Sequence, residues 1–293
     1  MSLLFQQLQV NPALFIAVTG LLGLLVGSFL NVVIYRLPRM LEQDWRQQCA
    51  ELTGNDSGGA SDTPAFNLVT PRSACPHCQH QITALENIPL LSYAFLRGHC
   101  RACGAHISLR YPMVELLTAI VSASVAWHFG FGWQVLGALL LSWSLIALSF
   151  IDTDTQLLPD DITLPLLWLG LGFNLFGTYT SLEDAVIGAM AGYLSLWAVF
   201  MLFKLVTGKE GMGYGDFKLL AMLGAWLGWQ SLPLIIMASS LVGAVFGIVM
   251  MVLARLGRSQ PIPFGPYIAC AGWVALLWGE PIAQAYLHWA FPR

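Results

Sequence analysis

Two aspartates and four cysteines carry the chemistry that can be read from this sequence. Asp216 follows three glycines in Gly211-Met212-Gly213-Tyr214-Gly215-Asp216-Phe217-Lys218, and no further charge occurs until Arg255. Glycine at that density makes poor helix, so a loop with few side chains presents one carboxylate at the mouth of an apolar segment. Asp152 closes another uncharged run, in Phe150-Ile151-Asp152-Thr153-Asp154. An ionisable group at the edge of a membrane segment is costly and marks a functional site by default. Two carboxylates that meet cannot both ionise cheaply, so they share a proton. One then serves as general base on a water and the other as acid toward a carbonyl oxygen or leaving amine. Such a pair needs no metal. Competing readings stand beside this one. Asp216 also suits the N-cap of the helix it precedes, and Asp154 rivals Asp152 on physical grounds. Asp160 and Asp161, which follow Pro159, suit the cap of the next helix. Asp152 is harder to explain by capping, because a carboxylate at a helix C-terminus opposes the macrodipole.

The cysteines form a second constellation. Cys75-Pro76-His77-Cys78 and Cys100-Arg101-Ala102-Cys103 are two C-x2-C pairs separated by twenty-one residues. Each pair makes a thiolate knuckle, and two knuckles complete a tetrahedral Zn²⁺ site. Four sulfurs close the shell, so the site is structural, and His77, His80, His99 and His106 are spare. Metal binding would supply much of the folding energy of a segment with so few apolar residues. Cys49 and Cys270 fall outside this scheme and read as ordinary buried or loop residues.

Composition says what positions these groups. The chain has 293 residues, 57% of them hydrophobic and only 10% charged, against about 25% charged in soluble domains. It reads as an all-α polytopic membrane protein of about eight transmembrane helices with a zinc-binding insert after helix one. Helix one covers the uncharged run 12–35, which ends at Arg36-Leu37-Pro38. Ser28 and Asn31, one turn apart on it, fit helix–helix packing through small and polar residues. Residues 38–111 form the polar insert, with a Gly/Ser/Asp-rich stretch at 54–63. The run 116–151 is too long for one span of ~20 residues. It breaks at 128–133 into helices two and three. Residues 162–179 and 185–203 supply helices four and five. The run 219–254 breaks at 229–233 into helices six and seven, and 264–279 is helix eight. The tail 281–293 reads as short and interfacial. Three domains follow: 1–37, 38–111 and a membrane core over 112–293. Residues 1–11 lack a basic n-region, so no cleaved signal peptide is expected. With eight spans, twelve of the thirteen Lys and Arg residues fall on one side, which the positive-inside rule makes cytoplasmic. Asp152 and Asp216 then sit at the cytoplasmic ends of helices three and six.

With these residues assembled, the chain resembles the bacterial type IV prepilin peptidase family, the prepilin leader peptidases/N-methyltransferases. The likeness rests on Gly27-Ser-Phe-Leu-Asn-Val-Val-Ile-Tyr-Arg-Leu-Pro38, the two cysteine pairs, Phe150-Ile-Asp-Thr-Asp-Thr-Gln-Leu-Leu-Pro-Asp160, Gly213-Tyr-Gly-Asp216 and Pro263-Phe-Gly-Pro266. The resemblance implies that Asp152 and Asp216 are the catalytic pair, which decides between Asp152 and Asp154, and that Gly213 and Gly215 support the catalytic loop. It implies a multi-pass enzyme of the bacterial inner membrane that cuts the basic leader from prepilins and pseudopilins on the cytoplasmic side. The new N-terminal residue, usually Phe, is then methylated with S-adenosylmethionine. No glycine-rich nucleotide loop follows a strand, so the methyl-donor residues are not readable. Nor do the residues separate a role in type IV pili from one in type II secretion. A peptidase without methyltransferase activity is the nearest alternative. A proton-coupled transporter is a remote one, since it would place its carboxylates nearer the midplane and within internal repeats. Nucleic acid is not an expected partner; membrane lipid is.

Overall fold

The computed structural model describes residues 3–53, 66–83, 85–209, 211–253 and 263–290. The 54–63 stretch, Arg255, Arg258 and the last three residues lie outside them. Every regular element described is helical, apart from two isolated β-bridges. The chain divides into two compact units, Met1–Trp127 and His128–Arg293.

The first unit opens with a short helix, α1 (Leu3–Val10), followed by α2 (Pro12–Leu52). Asn11 caps α2 by accepting the Leu14 N–H at 3.1 Å, and Pro12 occupies the first helical position, where no N–H is needed. The sequence expectation ends this helix at Pro38. It instead runs through Pro38 to Leu52. Proline removes one backbone bond, but the residues beyond it are good helix formers, and a Glu42–Arg46 ion pair spans one turn at 2.5 Å. At 1.5 Å per residue the 41 residues extend for about 60 Å, roughly twice the hydrocarbon thickness. The charged second half therefore cannot all lie in lipid. After α3 (Leu91–Phe95), α4 (Arg110–Phe129) packs against α2. Gly20, Gly23 and Gly27 bring the two backbones close: a β-carbon on Gly27 would stand 2.7 Å from Glu115 Cα. Asn31 Nδ2 donates to the Tyr111 carbonyl at 3.2 Å. The small and polar residues of the Gly27–Asn31 segment thus serve helix–helix contact.

The second unit contains α5 (Trp133–Thr155), α6 (Asp160–Asn174), α7 (Leu182–Thr207), α8 (Tyr214–Leu227), a 3-10 turn (Trp229–Ser231), α9 (Leu232–Leu253) and α10 (Gly265–Ala290). Its centre is α8. Every residue from Leu219 to Trp226 is buried, as are Asp216 and Phe217, with α6, α7 and α10 around it. A helix apolar on all sides belongs inside a bundle. The Trp226 indole donates to the Leu166 carbonyl at 2.8 Å and lies over Gly170. Asn174 binds the same, C-terminal end of α8. Its Nδ2 donates to the carbonyls of Ala225 and Trp226, and its Oδ1 accepts from the N–H groups of Tyr179 and Thr180.

Eight helices of fourteen or more residues occupy the eight expected apolar blocks among the described residues. Five of the blocks are long and apolar enough to cross a membrane: α2, α4, α5, α7 and the Trp229–Val249 segment. By contrast α6 and α8, with 15 and 14 residues, are only about 22 Å long, short of the ~30 Å hydrocarbon thickness. Two further boundaries differ from expectation. Helix four stops at Asn174, because that side chain turns to bond α8 and the following loop. The tail is no separate interfacial piece, since α10 continues through Pro281 to Ala290.

Candidate active site and metal centre

Asp152 and Asp216 both lie in the second unit, and both are buried, at 5% and 7% exposure. Asp152 is in the last turn of α5; its carbonyl accepts the N–H of Gln156, which ends the helix in a left-handed conformation. Asp216 is the third residue of α8, whose N-cap is Gly213. It therefore does not occupy the N-cap; its carboxyl group lies in the first turn, where the helix dipole favours negative charge. The two carboxylates are near enough for the charge of Asp152 to act on Asp216.

A third segment completes the arrangement. Asp152 Oδ2 accepts the N–H of Gly265, the first residue of α10, at 2.9 Å. This answers why a carboxylate ends α5: its side chain satisfies an N–H at the start of another helix. Leu158, on the loop after α5, sits between the glycines. A β-carbon on Gly215 would meet Leu158 Cβ at 2.8 Å, and one on Gly265 would meet Leu158 Cδ2 at 3.2 Å and Asp152 Oδ2 at 2.6 Å. The starts of α8 and α10 thus close on one leucine, with an aspartate on either side. Gly213 is not crowded in this way, since the nearest atom to a β-carbon there is Asp216 Oδ2 at 4.0 Å.

The other loop aspartates are placed differently. Asp154 is exposed. Asp160 makes no cap bond, the N-cap of α6 being Pro159; its carboxylate pairs with Lys218 Nζ at 2.7 and 2.8 Å. The expected capping role of Asp160 is thus replaced by an ion pair joining α6 to α8, while Asp161 shares the first turn of α6.

In the first unit the four cysteines come together. Their sulfurs all lie within 4.8 Å of one another, with Cys75–Cys103 and Cys78–Cys100 at 3.9 Å. A tetrahedron with metal–sulfur bonds of 2.3 Å has edges of about 3.8 Å, so the donor set fits a metal ion of zinc's size. The two knuckles are copies of one turn. Ala74 bridges Gln81, and His99 bridges His106. The amide of Cys75 donates to His80 O, that of Gln79 to Cys75 O and that of Ile82 to Ser73 O. The same three bonds recur from Cys100 to Ala105, from Gly104 to Cys100 and from Ile107 to Gly98. Backbone N–H groups of Cys78 and His77 hold the Cys75 thiol down to about 7, and those of Cys103 and Ala102 lower Cys100. At Cys78 a backbone N–H from His80 favours the thiolate, but desolvation and the three neighbouring sulfurs outweigh it and push the thiol up to about 12. Four crowded thiolates need a cation to coexist.

Sequence reasoning passed over several residues here. Glu86 joins the knuckles, accepting from the Thr83 N–H at 2.9 Å and hydroxyl at 3.0 Å, with His80 at 3.3 Å and Arg101 at 3.8 Å. His80, outside the four-sulfur group, is engaged by Glu86 instead. Arg36 is buried and donates to the carbonyls of Asn67 and Pro71, fastening the insert to α2. Glu115, also buried, accepts the Leu90 N–H at 2.9 Å. Its only signal in the sequence is a charge at the edge of an apolar run. Cys49 and Cys270 are both exposed on helices, in neither a loop nor the core.

Comparison with known proteins places the chain. Residues 21–129 match the bacterial peptidase A24 N-terminal domain, and residues 139–248 match the type IV leader peptidase family. The chain is 60% identical to a protein of Aeromonas hydrophila over 287 residues, covering 98% of this chain and 99% of the relative. This chain belongs to the type IV leader peptidase family. Within that family it is also 59% identical to a Pseudomonas aeruginosa protein over 98% of both chains, and 48% identical to one of Neisseria gonorrhoeae over 94% of both. All three relatives are named prepilin leader peptidase/N-methyltransferase. No solved structure matches the chain.

Proposed function

We propose that this protein cleaves the leader from type IV prepilins and pseudopilins and then methylates the new α-amine with S-adenosylmethionine. Its relatives' name and the family of both matched segments support the pair of activities. The observation that carries the peptidase assignment is that Asp152 and Asp216, both buried, are brought to one place by Leu158, which abuts Gly215 beside Asp216 and Gly265 against Asp152. In this reading one carboxylate takes a proton from a water held between them. The water oxygen adds to the scissile carbonyl carbon while the other carboxyl gives its proton to the carbonyl oxygen. Collapse breaks the C–N bond, and the leaving nitrogen takes a proton from the pair. The freed α-amine is the nucleophile of the second reaction; it takes the methyl group of the donor and loses a proton.

Cys75, Cys78, Cys100 and Cys103 would hold a structural Zn²⁺, which leaves no open catalytic position. Gly213, the N-cap of α8, and Gly215, in its first turn against Leu158, would support the segment that carries Asp216. A substrate whose apolar helix lies in the bilayer and whose basic leader lies outside it brings its scissile bond to the membrane edge. That siting, together with the eight-span reading that puts twelve of thirteen Lys and Arg residues on one side, supports an inner-membrane enzyme whose insert and aspartates face the cytoplasm.

The test is intact-mass analysis of a prepilin incubated with the purified protein in detergent, with and without S-adenosylmethionine. Loss of the leader plus a donor-dependent gain of one methyl group is expected. Asp152→Asn and Asp216→Asn should each abolish leader loss in a folded protein. Leader loss without methylation would leave a peptidase alone, and cleavage by either variant would remove that residue from the pair.

A further inference from the structure

The Pro263-Phe-Gly-Pro266 segment has no part in the two-aspartate chemistry as the sequence presents it, yet it reaches the site. Gly265 makes two distinct contacts with Asp152. Its N–H donates to Oδ2 at 2.9 Å, and its missing β-carbon leaves room for that same oxygen, which would otherwise be 2.6 Å away. The N–H is at the first position of α10, where no intrahelical acceptor exists, so it has no competing use. Leu158 closes the remaining side at 3.2 Å and also abuts Gly215, one residue before Asp216. Phe264 and Tyr267 set the start of α10 against α9, lying 3.4 and 3.3 Å from where a β-carbon of Gly243 would stand. The start of α10 is therefore held from outside while it holds Asp152.

We propose that Gly265 is a positioning residue of the peptidase site: its N–H fixes one oxygen of Asp152, and its lack of a side chain admits that oxygen. The other oxygen is thereby left to the water and to Asp216. The proposal rests on the reading of Asp152 as catalytic. A β-carbon at 2.6 Å from Oδ2 forces a shift, and with Leu158 Cδ2 also at 3.2 Å from it the carboxylate is what gives way. Misplacing a reacting group by about 1 Å can cost on the order of 100-fold in rate.

The experiment compares Gly265→Ala with Gly272→Ala and Gly279→Ala on the same helix, in the full-length protein. A β-carbon on Gly272 would press on Leu223 at 2.6 Å, away from Asp152, whereas one on Gly279 meets only Ala275 at 3.8 Å. Prepilin cleavage is measured as kcat and KM separately, alongside the melting temperature in detergent. Gly265→Ala should lower kcat by roughly 100-fold with KM changed by less than about twofold, because substrate docking is intact. Gly272→Ala should lower the melting temperature with a much smaller change in kcat, and Gly279→Ala should match wild type. Equal losses of kcat in Gly265→Ala and Gly272→Ala, or a Gly265→Ala effect confined to KM or melting, would overturn the proposal. Asp152→Asn run beside them separates the two failures: if that variant still cleaves, the catalytic reading itself falls.

Discussion

Adding one methyl group at Gly192 should move α8, and with it Asp216. Gly192 of α7 faces the α8 backbone: its β-carbon would stand 2.6 Å from Leu220 O, 2.9 Å from Leu220 C and 3.0 Å from Ala221 Cα. These are backbone atoms, so no rotamer change relieves them. Ordinary contact begins near 3.4 Å, so α7 and α8 must separate locally by about 0.8 Å. Leu220 lies one turn beyond Asp216, and Gly188 and Gly224 oppose each other backbone to backbone one turn further along. The helices cannot simply pivot about the next contact. Overpacking of this kind costs about 1–3 kcal/mol. The shift should also misplace Asp216 relative to Asp152, at a cost approaching 100-fold per ~1 Å in rate. Gly192→Ala should therefore lose at least about tenfold in prepilin cleavage and melt at a lower temperature in detergent. Gly172→Ala, where a β-carbon meets nothing within 4 Å, is the matched control. Wild-type kcat and melting temperature in Gly192→Ala would refute the claim that a rigid α7–α8 contact sets the site.

Three further outcomes follow from other parts of the molecule. The purified protein should contain about one zinc per chain, and Cys100→Ser should lose it, with amide exchange rising across 66–109 while 133–209 stays protected. Asn174→Leu removes four hydrogen bonds at the end of α8 and should destabilise the second unit by about 2–4 kcal/mol, read as a fall in thermal unfolding temperature; a change below 1 kcal/mol would contradict the role given to it. Glu86 is held below its ordinary value of 4.5, first by the Thr83 N–H, then by the Thr83 hydroxyl and His80. A depressed folded value means its stabilisation is present above about pH 4.5 and lost as pH falls through the folded value. Glu86→Gln should speed exchange around 80–101 at pH 7, and the difference from wild type should vanish in acid. A difference that persists below the folded value would rule out the charge as its source.

The helices and the candidate site residues of this chain were legible in its sequence because each leaves a local mark. Uncharged runs broken at 128–133 and 229–233 mark helices; Gly130 in the first break and Gly228 just before the second both take a positive φ. Two C-x2-C pairs mark a metal site because the knuckle turn is written in consecutive residues. Carboxylates at the ends of apolar runs mark themselves by their cost. Pro38 misled, because a helix that leaves the bilayer can continue on good helix formers. The tertiary structure alone decided what depends on residues far apart in the chain. The contact between Asp152 and Gly265 joins positions 113 residues apart, and nothing local to either predicts it. The same holds for the burial of α8 on all sides, for the Asp160–Lys218 pair that replaced a cap, and for the union of two knuckles on Glu86. The existence of the helices and the types of the candidate ligands follow from near neighbours. Which helix end is satisfied by which side chain follows only from packing.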